Sequence, residues 1–178
     1  MRSVRADAPP PRLERLPESA PLVAIVGRPN VGKSTLFNRL CGGHHAIVED
    51  QPGVTRDRRY GESEYAGLRF RVVDTGGLDF EAARPEEAGI ARGVLKQAFR
   101  AIDEAVVLLF VIDGREGLLP ADREVFEKLR RSGKPVLYVA NKIDGARQET
   151  GVAELYQLGA GDVYGISAAH GRGLPELL

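Results

Sequence analysis

Gly27, Gly32, Lys33 and Ser34 fall at a fixed spacing in "GRPNVGKS", with the apolar run "LVAIV" before them and the amphipathic stretch "TLFNRL" after. Glycines accept backbone angles that turn successive amides inward, a lysine adds a point charge, and a hydroxyl can sit on a divalent cation. Together these types bind phosphate oxygens. A strand-to-helix turn would bring the positive end of a helix dipole to the same place. On this reading Lys33 reaches the β- and γ-phosphates, Ser34 holds Mg²⁺, and Asn30, Val31 and Thr35 belong to the same nucleotide-binding stretch. The plainer alternative, a Gly-rich turn with a solvent-facing lysine, does not require this spacing or these flanks.

A phosphate loop does not choose a base. "NKID", Asn141 to Asp144, follows the apolar run "PVLYVA". A carboxylate at Asp144 can accept the ring N–H and the exocyclic amino hydrogens of guanine, whereas adenine presents an acceptor there. Sites built around a substrate donor reject an analogue lacking it by ~10⁴ or more. Asn141 would hold neighbouring loops together, and the stem of Lys142 can lie over the base plane. "ISA", Ile166 to Ala168, follows the next strand and offers Ser167 and an amide at Ala168 for the guanine carbonyl. Two further stretches suit a γ-phosphate. In "DTGG", Asp74 is placed to hold Mg²⁺ through water and Gly77 to present an unobstructed amide; in "PGVTRDR", Thr55 can bring a hydroxyl to the metal.

These residues need a scaffold that delivers several loops to one edge. From Leu22 onward "LVAIVG", "LRFRVVDT", "AVVLLFVID", "PVLYVANK" and "DVYGIS" read as strands. "GIARGVLKQAFRAIDEA", "ADREVFEKLRRSG" and "QETGVAELYQLGA" carry apolar residues at helical spacings. Continuously apolar strands are buried on both faces, which predicts a mostly parallel six-stranded sheet with helices on both sides. "RYGESEY" joins the following strand through Ala66 and Gly67, predicting a hairpin and one antiparallel edge strand. Residues 1–21 hold five of the eleven prolines and no periodicity, so they read as a flexible tail, with a single domain over 22–178. Acidic Asp7, Glu14 and Glu18 argue against a transit peptide.

Charge and composition exclude more than they assign. Lys plus Arg and Asp plus Glu are both 25, so the net charge gives no sign of a nucleic-acid or membrane footprint. Cys41 is the only cysteine, which rules out an intrachain disulfide. No apolar run reaches the ~20 residues of a spanning helix, and the expectation is a soluble cytoplasmic protein. His44, His45 and His170 show no metal-ligand spacing, and Arg56, Arg58 and Arg59 read as a solvated face rather than an arginine finger.

With these stretches in view, the chain resembles the translation-factor-related class of P-loop GTPases with a Ras-like α/β fold, and within it the first GTPase domain of the Der (EngA) family. "GRPNVGKSTLFNRL", "PGVTRDR", "DTGGL", "VIDGREGL", "SGKP", "NKID" and "SAAHGRG" carry the resemblance, from Leu22 to Leu178. It implies Mg²⁺-dependent GTP binding and hydrolysis to GDP, and a role in large ribosomal subunit assembly. It also implies a longer parent chain with a second GTPase domain and a KH-like domain, the isolated domain being a monomer. Leu78 stands where a Ras-like enzyme has a water-orienting glutamine, and an aliphatic chain cannot do that work. Relatives with the "PNVGKS" pattern often bind K⁺ beside the phosphates, which would make Asn30 a K⁺ ligand and a catalytic residue with Lys33, Thr55 and Gly77. Two other classes stay open at this point: a nucleotide-dependent binding module without appreciable hydrolysis, and a P-loop kinase or ATPase, against which "NKID" argues.

Overall fold

Alternating side chains on parallel strands point to opposite faces, so strands apolar at every position need cover on both sides. The computed structural model describes residues 16–42, 59–76, 100–145 and 150–178. Six strands, β1 (Leu22–Val26), β2 (Arg59–Tyr65), β3 (Leu68–Asp74), β4 (Val107–Asp113), β5 (Val136–Asn141) and β6 (Val163–Gly165), form one sheet in the order β2-β3-β1-β4-β5-β6. All neighbours pair parallel except β2 and β3. The predicted hairpin is present: Ala66 and Gly67 have φ of 50° and 80°, the doubly left-handed turn that matches strand twist.

The helices are α1 (Lys33–Cys41), α2 (Pro120–Arg131), α3 (Thr150–Gln157) and α4 (Leu174–Leu177), with residues 100–104 also helical. On one face of the sheet, Ala24 and Val26 of β1 and Leu108, Phe110 and Ile112 of β4 pack with Val125, Phe126 and Leu129 of α2 and Leu155 of α3. On the other, Ile25, Leu109, Val111 and Val139 meet Leu36, Phe37 and Leu40 of α1 and Leu177 of α4. The strand period of two thus sorts one sequence into two cores. Cys41 is buried among them, and burial pushes its thiol up to about 12.

Elements come out slightly shorter than their sequence patterns. β6 spans Val163–Gly165 rather than all of "DVYGIS", because Ile143 donates to Ile166 O at 2.9 Å and turns the chain into the next loop. Residues 16–21, read with the tail, are bonded to the hairpin: Leu16 donates to Glu62 Oε1 at 2.8 Å, and Arg71 donates to Glu18 O at 2.7 Å. The sequence hides these bonds because two of the three acceptors there are backbone carbonyls, with Pro21 O taking the Arg71 amide at 2.8 Å.

Because β1, β3, β4, β5 and β6 run the same way, the turns that leave them gather at one edge, where ligands of doubly wound sheets sit. Phe126 lies 5.3 Å from the Tyr138 ring and 6.4 Å from that of Phe110 and is 1% exposed. Phe126→Ala is expected to lower unfolding free energy by about 3–5 kcal/mol. Leu68→Ala, at a residue 73% exposed, should change it by less than about 0.5 kcal/mol. Urea unfolding of the two variants checks both.

Candidate functional site

β1 ends against the turn 27–32, and α1 begins at Lys33. Gly27 cannot be replaced cheaply, since a Cβ there would run into the Val111 carbonyl oxygen of the neighbouring strand. Gly32, the N-cap of α1, has φ 99°, and its Cβ would collide with Asn141 Nδ2. Asn30, at φ 66°, is likewise left-handed. The first turn of α1 carries no acidic residue that would compete with an anion for its free amides.

Lys33 is 5% exposed, and its Nζ donates back to Arg28 O at 2.7 Å. Burial lowers its pKa to about 8, with the nearby Arg28 charge acting the same way and Asp74 and Asp122 opposing it. A poorly solvated ammonium inside an amide-lined turn is a strong attractor for phosphate. Beside it Ser34 Oγ donates to Asp74 Oδ2 at 2.7 Å, and Asp74 Oδ1 accepts the Gly76 amide at 3.1 Å. This hydroxyl and carboxylate form an all-oxygen pair suited to Mg²⁺, which takes few protein ligands and fills the rest of its shell with water and phosphate. Among the described residues no group of three His, Cys, Asp or Glu side chains could hold a metal on its own.

On the other side of the turn Asn141, 2% exposed at the end of β5, joins two loops. Its Nδ2 donates to Val31 O at 2.9 Å and its Oδ1 accepts the Ala168 amide at 2.9 Å. The Ala168 N–H, which the sequence offers to a base, is therefore engaged by Asn141. Lys142 Nζ donates to Asn30 O at 2.7 Å and pairs with Asp113 Oδ2 at 2.7 Å. Burial alone would raise the Asp113 pKa, but Lys142 and the Arg115 amide hold it below the usual carboxylate range. Asp144 accepts from Ser167 Oγ at 2.8 Å and pairs with Arg115, and these two, the hydroxyl first, lower its pKa.

Ser34, Asp74, Asn141, Lys142, Asp144, Ser167 and Ala168 thus line one edge with the loop from Gly27 to Thr35. Thr55, Gly77, Leu78, Arg56, Arg58, His44 and His45 lie outside the described residues. His170 is exposed, with Nε2 3.7 Å from Asp144 Oδ1. Sequence reasoning missed four residues. Arg28 pairs with Glu116 and, at 3.2 Å, with the fully buried Asp122, which ties the phosphate-binding turn to α2. Arg39 of α1 donates to Ala168 O at 3.1 Å and to Ala169 O at 2.6 Å. Arg115, within "VIDGREGL", donates to Lys142 O at 3.1 Å and pairs with Asp144. The signal available was topological: β4 neighbours β5, so the turns after them must lie side by side.

A family model described as a 50S ribosome-binding GTPase matches residues 22–142. The chain belongs to that family of GTPases. Its relatives include GTPase Der of Syntrophotalea carbinolica, 54% identical over 88% of this chain and 35% of that protein. GTPase Der of Pseudoalteromonas atlantica is 52% identical over 89% of this chain and 32% of that protein. The chain therefore spans about a third of the length of these curated relatives. Among solved structures, an Aquifex aeolicus Era variant bound to GDP and AlF₄⁻ superposes with a TM-score of 0.72 and 33% identity, over 88% of this chain and 54% of that one. The G domain of the T. maritima iron transporter FeoB gives a TM-score of 0.67 and 27% identity, over 88% of this chain and 93% of that one. The expected Ras-like P-loop GTPase fold is thereby established for this family member.

Where Lys33 meets a phosphate, its lowered pKa would make that binding pH-dependent. Bound phosphate favours the charged lysine, so affinity is full below about pH 8 and falls as pH rises through that value. GDP affinity measured by titration calorimetry is expected to drop about fourfold between roughly pH 7 and pH 8.5. Lys33→Arg, whose guanidinium does not titrate there, should bind more weakly throughout but without that slope.

Proposed function

We propose that this chain is a guanine-nucleotide switch domain that binds GTP and GDP and hydrolyses GTP, within a Der-like parent protein acting on the large ribosomal subunit. The observation that carries the reading is the Asn141 bridge, which joins the turn carrying Val31 to Ala168, next in the chain to the Ser167 that holds the Asp144 carboxylate. In this reading the amides of Gly27 to Thr35, including Asn30, Val31 and Gly32, surround the phosphates, with Lys33 against the β- and γ-groups. The Lys142 stem covers the base, Asp144 accepts the two guanine donors, and Ser167 steadies that acid. A guanine carbonyl at Ala168 would share its N–H with Asn141. An Era structure in complex with MgGDPNP and nucleotides 1506–1542 of 16S ribosomal RNA, with a TM-score of 0.72 and 33% identity over 88% of this chain and 54% of that one, supports both the nucleotide and a ribosomal setting. The second GTPase domain and the KH-like domain of the parent remain part of this proposal, as do a monomeric isolated domain and a cytoplasmic location. Among the described residues, no helix is long and apolar enough to cross a membrane.

Hydrolysis requires water to attack the γ-phosphorus while its bond to the β–γ bridging oxygen breaks, releasing GDP and phosphate. Lys33 stabilises the negative charge that shifts onto that bridging oxygen. Ser34 and Thr55, with Asp74 through water, would hold Mg²⁺, which would supply Lewis-acid neutralisation of the phosphates. In this reading Gly77 would offer its amide to the γ-phosphate, and Leu78, being aliphatic, has no group to orient the attacking water. The missing positive charge would be K⁺, with the exposed Asn30 of the loop as a ligand.

Purified chain is expected to hydrolyse GTP faster in K⁺ than in matched Na⁺ buffer, and Asp144→Asn to shift the GTP to XTP preference on the order of 10³-fold. Equal rates in the two salts would remove K⁺. Binding of GTP and ATP alike would remove the guanine reading. GTP binding without single-turnover hydrolysis, until ribosomal particles are added, would favour the partner-dependent module.

A further inference from the structure

Arg115 occupies a position that nucleotide binding alone does not explain. It sits just past β4, whose last residue Asp113 is registered against Asn141 of β5. Its guanidinium forks across the base-side loop, Nε donating to Lys142 O at 3.1 Å and Nη2 pairing with Asp144 Oδ2. Its own amide donates to Asp113 Oδ1 at 3.0 Å, and the other oxygen of Asp113 holds Lys142 Nζ. Arg115, Lys142 and Asp113 therefore form a closed ring of bonds, to which Asp144 is joined through Arg115, around a turn in which Lys142 has φ 68°. A non-glycine residue keeps that left-handed conformation only where its surroundings impose it.

The consequence falls on Asp144. Ser167 Oγ holds one carboxylate oxygen at 2.8 Å and Arg115 holds the other, so the plane of the group is set from both sides. A carboxylate offers about four acceptor sites in all; Ser167 and Arg115 aim one donor at each oxygen, and His170 Nε2 lies 3.7 Å from the oxygen that Ser167 holds. Two ends held separately give a bidentate acceptor of fixed direction; one end held leaves a rotor. The planar fork is needed, because a single ammonium cannot reach the Lys142 carbonyl and the carboxylate in one rigid geometry. The lowered Asp144 pKa agrees with a carboxylate kept ionised by these two neighbours.

We propose that Arg115 is a positioning residue for base specificity, fixing the Asp144 carboxylate so that its second oxygen reads the exocyclic 2-amino group of guanine. This rests on the guanine-nucleotide reading above. It is not a catalytic residue and touches no phosphate-binding group.

The test compares GDP with IDP, which lacks the 2-amino group, and with ADP, by titration calorimetry of wild type, Arg115→Ala and Arg115→Lys. Wild type is expected to prefer GDP to IDP. Arg115→Ala should reduce the ratio of Kd(IDP) to Kd(GDP) by roughly five- to tenfold, with Arg115→Lys in between. A variant that is merely less well folded weakens both ligands by one factor and keeps the ratio; an unchanged ratio overturns the proposal. So does tighter GDP binding in Arg115→Ala, which would make Arg115 a competitor for the acid. Wild type that binds GDP and ADP alike overturns the guanine reading and this proposal with it, whereas intact GDP preference with an unchanged variant ratio overturns this proposal alone.

Discussion

The Asn141 amide reaches in two directions, with Nδ2 on the Val31 carbonyl and Oδ1 on the Ala168 amide, both at 2.9 Å. Nearly everything else at the site hangs on that bridge. Both partners are backbone groups of loops that leave different strands, and all of these atoms are buried, so the bonds cannot be exchanged for water without cost. Gly32 has no side chain because Asn141 fills the space a Cβ would take. Arg39 reinforces the same joint from α1 by holding the carbonyls of Ala168 and Ala169. The turn after β1, the end of β5 and the loop after β6 are thus tied together by buried hydrogen bonds.

Charge is distributed around this unit in an ordered way. Lys33 is buried and poorly solvated, Asp74 faces Ser34, and Arg28 carries the turn's connection to Asp122 of α2. Burial pushes the Asp122 carboxyl up, opposed by the Leu119 amide and Arg28. The base side repeats the pattern with Lys142 on Asp113 and Arg115 on Asp144. Each of these charged groups is held in direction, Arg28, Lys142 and Arg115 by carboxylates, Lys33 by the Arg28 carbonyl and Asp74 by the Ser34 hydroxyl, which is the preorganisation a nucleotide site needs.

Much of this was legible from residue types. Gly27, Gly32, Lys33 and Ser34 announce themselves by spacing, and the apolar runs predict parallel strands because runs such as "VLLFVID" need cover on both faces, as strands alternating with helices have. The hairpin could be read from Ala66 and Gly67, and Asn141 could be placed because "NKID" directly follows an apolar strand. What escaped were the residues whose meaning depends on sheet order. Arg115 and Asp144 are far apart in sequence and meet only because β4 and β5 are neighbours. Arg28 and Asp122 meet only because α2 packs on the face that adjoins the turn. Local periodicity carries no information about such pairs. Residues 16–21 escaped for a related reason, since most of their acceptors are carbonyls common to every residue.

A single guanine-nucleotide site whose phosphate and base sides are joined through Asn141 must respond to its ligand as one. In amide hydrogen exchange of the purified chain with Mg²⁺ and saturating GDP, exchange is expected to slow together in residues 31–36 and 166–170, at the same GDP concentration, with no such protection by ADP. Protection confined to the phosphate-binding turn, or equal protection by ADP, would contradict it.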